Sequence, residues 1–198
     1  MDTSTKGVSA SATNIIRDDH ARVLATFHGY RIDFSPIAKR ALADTICLEL
    51  EVHAQLEEEI FYPAMRAVDP SLVDKSVPEH DEMRRLITLL RATQPASPEY
   101  DVRFMELMCN VMHHVADEET TSLPAADRLL RDRLPELGAR MRARRRQLAP
   151  PAMEEMPTST RRRLTRRLTR GLMLLPIGGF VAAYAVGHRI RRAISPRN

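Results

Sequence analysis

The chain has 198 residues, of which 43% are apolar and 5% aromatic, with 7 glycines and no tryptophan. This length suits one domain with an added segment, and the apolar content is enough to bury a core. The scarcity of glycine and aromatic residues favours helices over sheets. The sequence contains no Ser-His-Asp or Cys-His constellation, glycine-rich phosphate loop or CxxC pair. Hydrolytic and nucleotide chemistries therefore have no residues to support them.

The net charge of +4 is distributed unevenly along the chain. Residues 1–139 contain 15 Lys and Arg against 24 Asp and Glu, which gives this part a net charge of −9. Residues 140–198 contain 15 Arg against 2 Glu, a net charge of +13. An acidic body therefore precedes a basic tail, and the pI of about 9.4 reflects the tail alone.

The N-terminal part is predicted to lead into a first helix. Residues 1–12 are small and polar, and we expect them to be disordered. They lack the apolar run of a secretory signal, which predicts that the body stays in the cytoplasm. The helix is predicted to begin near Thr13 or Asn14 and to run to about Tyr30. His20 lies within its apolar stripe and is expected to point inward.

A second, long helix is predicted from Ser35-Pro36, a cap followed by proline at the first helical position, to about Val68. His53 and Glu57 continue its apolar stripe. Four residues of an α-helix correspond to about 400° of rotation and about 6 Å of rise, so this imidazole and carboxylate project from one face, one turn apart. That is the geometry of a metal chelate. The Glu58-Glu59 pair falls off this face and is predicted to form a solvated edge.

Two further helices carry the remaining candidates. The third is predicted over 78–92, with His80 in its first turn. The fourth is predicted over 98–121, ended by Leu123-Pro124, with His114 directed inward. Its C-terminal part repeats the second helix in register, because a Glu again follows the His by four positions and a Pro by ten. The repetition favours a chelating role over an ordinary surface His–Glu pair.

The spacing of the histidines indicates an internal duplication. His20 and His53 are 33 residues apart, and His80 and His114 are 34 apart. The body is therefore interpreted as two helical hairpins in an all-α, antiparallel up-down four-helix bundle. Unpaired carboxylates would be very costly to bury inside it, so a bound cation is the simplest explanation. The candidate metal ligands are His20, His53, Glu57, His80, His114 and Glu118.

This ligand pattern resembles the hemerythrin-like, or HHE cation-binding, family over roughly residues 13–135. The resemblance implies a four-helix bundle that holds a non-heme di-iron centre. It also implies that the four histidines are terminal ligands and that the two glutamates bridge two iron ions. Mixed imidazole and carboxylate ligation suits iron, and manganese or zinc would also be accepted. The motifs that carry the resemblance are His20, His53-x3-Glu57, Glu79-His80 with Glu82, and His113-His114-x3-Glu118.

Two departures from the family pattern affect the site. The oxygen-carrying branch has a second His four residues after the one on its third helix, and Arg84 occupies that position here. The missing ligand leaves an open metal position, a water or a substitute carboxylate, and it disfavours simple reversible oxygen carriage. On the fourth helix the oxygen carriers space His and carboxylate by five, which would select His113, whereas the internal repeat selects His114. We favour His114 because His113 would rotate off the inward face.

The fourth helix is followed by a different kind of sequence. A fifth helix is predicted from Ala125 to about Leu148, kinked near Pro135, with Gly138 ending its ordered part. The body together with this helix is assigned to residues 13–148, and residues 149–157 form a proline-rich linker.

The C-terminal tail, residues 158–198, is basic and partly apolar. Residues 171–187 form a run of seventeen uncharged residues, the lower limit for a membrane segment, with arginines on both sides. We favour membrane attachment at the inner face of the membrane over a buried helix or oligomer contact. A nucleic-acid-binding arm is disfavoured, because the arginines flank an apolar run and lack interleaved aromatic residues. The sequence does not predict an oligomeric state.

Two functions follow as expectations. The first is a cytoplasmic, membrane-associated di-iron protein that binds, turns over or senses O2, nitric oxide, peroxide or iron. The alternative is a non-catalytic helical adaptor that binds zinc or no metal and acts through its basic tail.

Overall fold

The structure is a computed structural model that describes residues 11–148. All regular structure in this range is helical and it contains no strand, which confirms the predicted all-helical class. None of the helices in the described range has both the length and the hydropathy that a bilayer span requires. The predictions for the proline-rich linker, the basic tail and the candidate membrane segment 171–187 lie outside the described residues.

Seven α-helices and three short irregular helices make up the described part of the chain. The α-helices are α1 (Ala12–Phe27), α2 (Pro36–Leu56), α3 (Tyr62–Arg66), α4 (Ser76–Ala92), α5 (Pro98–Asp117), α6 (Leu123–Leu129) and α7 (Leu134–Leu148). Two π-helical segments, Glu57–Phe61 and Glu118–Ser122, connect α2 to α3 and α5 to α6. A 3₁₀-helix, Pro70–Leu72, precedes α4.

Serine side chains cap three of the long helices. Ser35 and Ser97 accept hydrogen bonds from the backbone N–H of Ala38 at 3.3 Å and of Glu99 at 3.2 Å, as their Ser-Pro sequences predict. Ser11 caps α1 in the same way, so that helix begins slightly before the predicted Thr13. Each cap satisfies a backbone donor that has no partner within the helix, which is worth roughly 1 kcal/mol.

The two π segments carry the chain through proline residues without ending the helix. A proline inside an α-helix removes a hydrogen bond and clashes with the carbonyl four residues earlier. Just before Pro63 the N–H of Tyr62 bonds to the carbonyl of Glu57, five residues back, and this wider turn accommodates the ring. The same arrangement precedes Pro124. The prediction that Leu123-Pro124 ends the fourth helix was therefore wrong, because helical structure continues to Leu129.

The predicted fifth helix is interrupted. Helix α6 ends at Leu129 and α7 begins at Leu134, so Pro135 lies in the first turn of a new helix, where its missing N–H costs nothing. The expectation that Gly138 ends the ordered part was also wrong. Gly138 is buried within α7, which continues to Leu148 and packs against α1 and α2.

A polar layer separates two apolar clusters along the helices. One cluster involves the start of α1, the end of α2 with the π segment Glu57–Phe61, α3, α6 and α7. The other involves the second half of α1 together with α2, α4 and α5. On α2, His53 lies between Leu50 of the second cluster and Leu56 of the first. His20 has the equivalent place on α1. The candidate site therefore lies inside the core.

Candidate metal centre

The six predicted ligands lie together in the protein interior. Side chains from α1, α2, α4 and α5, and from both π segments, reach this point. Glu57 and Glu118 are almost fully buried, with 0% and 1% exposure, and the four histidines are buried as well. Carboxylates at this depth require compensation by hydrogen bonds or by cations.

The Nε2 atoms of the histidines face the two carboxylates. Glu57 Oε2 lies 3.2 Å from Nε2 of His53 and 3.4 Å from that of His80. Glu118 Oε2 lies 3.3 Å from Nε2 of His20 and 3.4 Å from that of His114. Each carboxylate therefore contacts one histidine on each of two helices.

These atoms form two overlapping sets with the spacing of metal ligands. In each set, one donor atom per residue can be chosen so that all four lie within 4.8 Å of one another. His53 and His114 belong to both sets, and each set contains one of the two glutamates. The first set is His20, His53, His114 and Glu118, and the second is His53, Glu57, His80 and His114.

Four buried nitrogen and oxygen atoms of the site lack a hydrogen-bond partner within residues 11–148. They are His20 Nε2, His53 Nε2, Glu57 Oε1 and Glu118 Oε2. Buried polar atoms are nearly always paired, because an unpaired one keeps its full desolvation cost. Imidazole nitrogen and carboxylate oxygen are also the donors that first-row transition metals accept. The residues present therefore fit a metal cation.

A second ring of carboxylates lies behind the histidines. The Nδ1 atoms of His53, His80 and His114 each face a carboxylate from the site helix, or its π extension, that comes before their own in the chain. The Nδ1 atom of His20, on the first helix, faces a carboxylate from the π segment that follows α5. Three contacts are hydrogen bonds of 2.8 to 3.0 Å, and the contact between His53 and Asp19 is 3.7 Å. An acceptor at Nδ1 fixes the tautomer and directs Nε2 to the centre, as in many metal sites. The pairs are Asp19–His53, Glu58–His80, Glu79–His114 and Glu119–His20.

Glu58 corrects one expectation from the sequence. It was predicted to belong to a solvated edge, but it accepts a hydrogen bond from His80 Nδ1 and pairs through both oxygens with Arg84. The prediction assumed ordinary α-helical geometry, whereas Glu58 lies in a π segment. Glu59 is exposed at the surface, where it pairs with Arg144.

Tyr62 is a site residue that the sequence analysis missed. Its hydroxyl lies 2.9 Å from both Glu57 Oε2 and Glu118 Oε1, and 3.4 Å from His80 Nε2. Five residues of an α-helix turn about 500°, which would direct Tyr62 well away from Glu57. The π hydrogen bond between these two residues brings the side chain back to the same face. A proline following the His-x3-Glu motif was the signal for such a turn.

The two glutamates differ in their electrostatics. Burial and the charge of Glu118 raise the pKa of Glu57 well above its ordinary value. Burial also opposes ionisation of Glu118, but His20 and His114 outweigh it and lower the pKa of this carboxyl. Burial would lower the pKa of His20, whereas its contacts with Glu118 and Glu57 raise it from 6.5 to about 9. The metal-free centre therefore holds protons that a cation would displace.

Comparison with known proteins decides the family. The model of the hemerythrin HHE cation-binding domain matches residues 11–126, more than half of the chain. The chain belongs to the hemerythrin HHE cation-binding domain family. The buried His and Glu cluster is the part of this HHE domain that suits a cation.

Two curated proteins show the range of relatives. A protein named DNA nickase from Nostoc sp. is 32% identical over 113 residues, which cover 57% of this chain and 32% of that protein. The present chain thus spans about a third of the nickase. A protein of Mycobacterium tuberculosis is 28% identical over 125 residues, covering 61% of this chain and 77% of the relative.

A solved structure shows the same fold. The crystal structure of an HHE cation-binding domain-containing protein from Mycobacterium kansasii matches with a TM-score of 0.63 and 23% identity. The match covers 79% of this chain and 98% of that one. The described helices therefore adopt a hemerythrin-like fold.

The two departures from the oxygen carriers have clear positions in this HHE domain. His113 is exposed, and its neighbour His114 lies in the cluster. Arg84 extends to Glu58 with both contacts at 2.7 Å, and it therefore supports the carboxylate behind His80. The groups near His80 Nε2 are His114 Nε2 at 3.1 Å, and Glu57 Oε2 and the Tyr62 hydroxyl, each at 3.4 Å.

A small cavity adjoins the site. Its volume of about 10 Å³ is room for the centre of roughly one water molecule. Its walls combine His20, His53 and His114 with apolar side chains from α1, α2 and α5. A ligand that reaches the centre from this side must therefore be very small.

Proposed function

We propose that this HHE domain binds two iron ions and through them binds or turns over a small molecule such as O2, peroxide or nitric oxide. The observation that supports this most strongly is the pair of overlapping ligand sets, each with one buried glutamate and three histidines. Two dications would offset two buried carboxylates, which the metal-free interior compensates only in part.

Each side chain has a defined role in this proposal. The four histidines would hold the metal ions through Nε2, together with the carboxylates of Glu57 and Glu118. Tyr62 offers a phenol oxygen 3.4 Å from His80 Nε2. Mixed nitrogen and oxygen donors suit iron, and manganese is the next candidate. Bound iron would supply the redox chemistry that these small molecules require.

The size and lining of the cavity favour a diatomic ligand or peroxide. Val23, Leu50 and Val111 present apolar surface to the space beside the histidines. Such a lining excludes bulk water from the centre, and a larger organic substrate would not fit the volume.

The finer fold assignment is part of the same proposal. We take α1, α2, α4 and α5 to be the four members of an antiparallel up-down bundle, with α7 as an added helix. Contacts of α1 with α2, of α2 with α4 and of α4 with α5 support this order. Membrane attachment through residues 158–198 and a cytoplasmic location remain predictions.

The proposed function does not include the DNA nicking for which the Nostoc protein is named. The similarity covers about a third of that protein, and the centre described here contains buried ligands that a DNA strand could not reach. The shared part is the HHE domain, and its proposed role is metal binding.

The proposal is tested by comparing His114→Ala with His113→Ala. Both variants lose one imidazole from adjacent positions of α5, but one side chain is buried in the cluster and the other is exposed. Full-length protein produced with added iron should contain close to two iron ions per chain. His113→Ala should keep that content, and His114→Ala should lose at least half of it. Folded wild-type protein without metal, or with zinc alone, would instead favour the helical adaptor.

A further inference from the structure

Helix α7 contributes an arginine to the polar network of the metal centre. The helix begins at Leu134, beyond the residues 11–126 that match the family. Arg145 nevertheless reaches Asp19 on α1, with Nη1 2.7 Å from Oδ1 and Nη2 in close contact with Oδ2. Asp19 is buried, with a side-chain exposure of 7%. The chain outside the family match therefore reaches the ring of carboxylates behind the ligands.

Asp19 is the ring member that faces His53. Its Oδ2 atom lies 3.7 Å from His53 Nδ1, whereas the other three ring carboxylates lie within hydrogen-bonding distance of their histidines. The same Oδ2 atom contacts Arg145, and Arg22 contacts Oδ1 at 2.5 Å. The position of the carboxylate that faces His53 is therefore set by two arginines, one of them on α7.

His53 is a sensitive place for such control. It belongs to both ligand sets, so its orientation affects either metal position. An outer carboxylate that accepts from Nδ1 keeps the proton on that atom and leaves Nε2 free to bind metal. Loss of Arg145 would remove the contacts that hold Asp19 from α7, and the carboxylate could then turn towards Arg22.

We propose that Arg145 is a positioning residue for the metal centre, acting through Asp19 on His53, so that docking of α7 is needed for full metal affinity. This inference rests on the metal-binding function proposed above. It makes α7 a working part of the centre in this chain. Arg22 on α1 contacts the Oδ1 atom of Asp19. The Oδ2 atom, which faces His53, is held by Arg145 on α7.

Arg144 provides a matched control on the same helix. It forms two hydrogen bonds with Glu59, at 2.7 and 3.0 Å, and so it also ties α7 to the α2 side of the fold. The exposures of the two arginine side chains are similar, at 32% for Arg144 and 27% for Arg145. Glu59 is not a member of the ring in the described structure. Both arginines therefore anchor α7, but they differ in their access to the centre.

The test compares Arg145→Gln, Arg145→Lys and Arg144→Gln in the full-length protein. Iron(II) affinity is measured without oxygen by competition with a chelator. Arg145→Gln should weaken iron(II) binding by roughly tenfold, the scale of an outer-shell loss, and Arg144→Gln by less than about twofold. Arg145→Lys should recover part of the loss, because it keeps the positive charge near Asp19. Thermal melting of the metal-free variants identifies any variant that fails to fold.

A spectroscopic measurement separates positioning from general destabilisation. In the iron(II) protein, each histidine that binds metal through Nε2 would carry an exchangeable Nδ1 proton, and the metal would shift its NMR signal. Arg145→Gln should move one of these signals, and Arg144→Gln should move none. Equal affinities and unchanged signals in the two glutamine variants would overturn the role of Arg145 while leaving the metal centre in place. A folded wild-type chain that binds no iron(II) would overturn the proposed function and this inference together.

Discussion

The two His-x3-Glu copies share one backbone plan but differ in the residue that follows the π segment. In each copy a glutamate is the first of five π-helical residues, and a proline is the second residue after them. The residue five positions after the glutamate is Tyr62 in the first copy and Leu123 in the second. Both residues pack in the same apolar cluster, but Tyr62 also contacts both carboxylates through its hydroxyl, and Leu123 has no polar group to do so. The duplicated frame therefore supplies a phenol to the centre from one copy only.

The same asymmetry extends to the protonation of the two glutamates. The pKa of Glu57 is raised by burial and by its neighbour Glu118. Glu118 faces His20 and His114, whose positive character lowers its pKa despite burial. Equivalent positions in the sequence therefore differ in their affinity for a proton in the metal-free protein, and metal binding is expected to make them alike.

The largest expected effect comes from removing either carboxylate. Glu57→Gln and Glu118→Gln should each reduce iron content from about two ions per chain to one or fewer, because each removes a charged ligand. The metal-free proteins should differ. Glu57→Gln should melt at or above the wild-type temperature, because burial and Glu118 disfavour a negative charge at this position and the amide is neutral and similar in shape. Glu118→Gln should melt lower, because His20 and His114 lose their anion. Equal melting temperatures would contradict the asymmetry.

The stability of the metal-free protein should fall as pH rises, because the centre then loses protons that it binds in the folded state. The folded-state pKa of His20 is raised from 6.5 to about 9, so its contribution to stability is complete below pH 6.5 and is lost as pH rises through 9. The raised pKa of Glu57 acts in the same direction, while the contribution of Glu118, whose pKa is lowered, stays constant at pH values above its ordinary pKa. Burial lowers the pKa of His53 and of His80, so these two groups oppose the trend, with a penalty that is largest below pH 6.5 and fades above it. The net loss should be on the order of 1–3 kcal/mol.

Melting temperatures at pH 6 and pH 9 check this expectation. The metal-free protein should be less stable at pH 9, and the metal-loaded protein should lose less stability, because the metal has already displaced these protons. Metal affinity should rise over the same interval. A metal-free protein that melts at the same temperature at both pH values would contradict the assignment of stored protons to His20 and Glu57.

Tyr62→Phe tests the residue that distinguishes the copies. The buried hydroxyl lies within hydrogen-bonding distance of both carboxylates, so its loss should destabilise the metal-free protein by about 1–3 kcal/mol. Tyr100→Phe is the control, because the hydroxyl of this buried tyrosine has no hydrogen-bond partner in the described structure. Chemical denaturation should show a change near zero for the control.

The smallest expected effects come from the two serine caps that the copies share. Ser35→Ala and Ser97→Ala should each lower the free energy of unfolding by about 1 kcal/mol, because each leaves a backbone N–H of the first helical turn without its acceptor. Iron content should not change in either variant. A loss of iron in one variant would show that the two copies also differ in how strongly metal binding depends on the start of the helix.

Much of this site follows from helical periodicity. The spacing of four between His53 and Glu57 holds in an α-helix, and it places both groups on the inward stripe whatever follows. The Ser-Pro pairs at Ser35 and Ser97 specify the helix starts by local chemistry alone. Family membership of the chain was likewise predicted from residues whose spacing is local.

What the sequence did not predict depends on departures from that periodicity. The π turns change the direction of every later side chain, which is why Tyr62 and Glu58 were not expected at the centre. The reach of Arg145 to Asp19 depends on how α7 packs across α1, which is a long-range contact. Local patterns carry no signal for either feature beyond the two prolines.

Anomalous X-ray diffraction at the iron edge from crystals of the iron-loaded chain tests the central claim most directly. Two iron peaks should appear in the polar layer, one beside His20 and Glu118 and the other beside His80 and Glu57. Peaks elsewhere, or a single peak at full loading, would contradict a binuclear centre built from these six side chains.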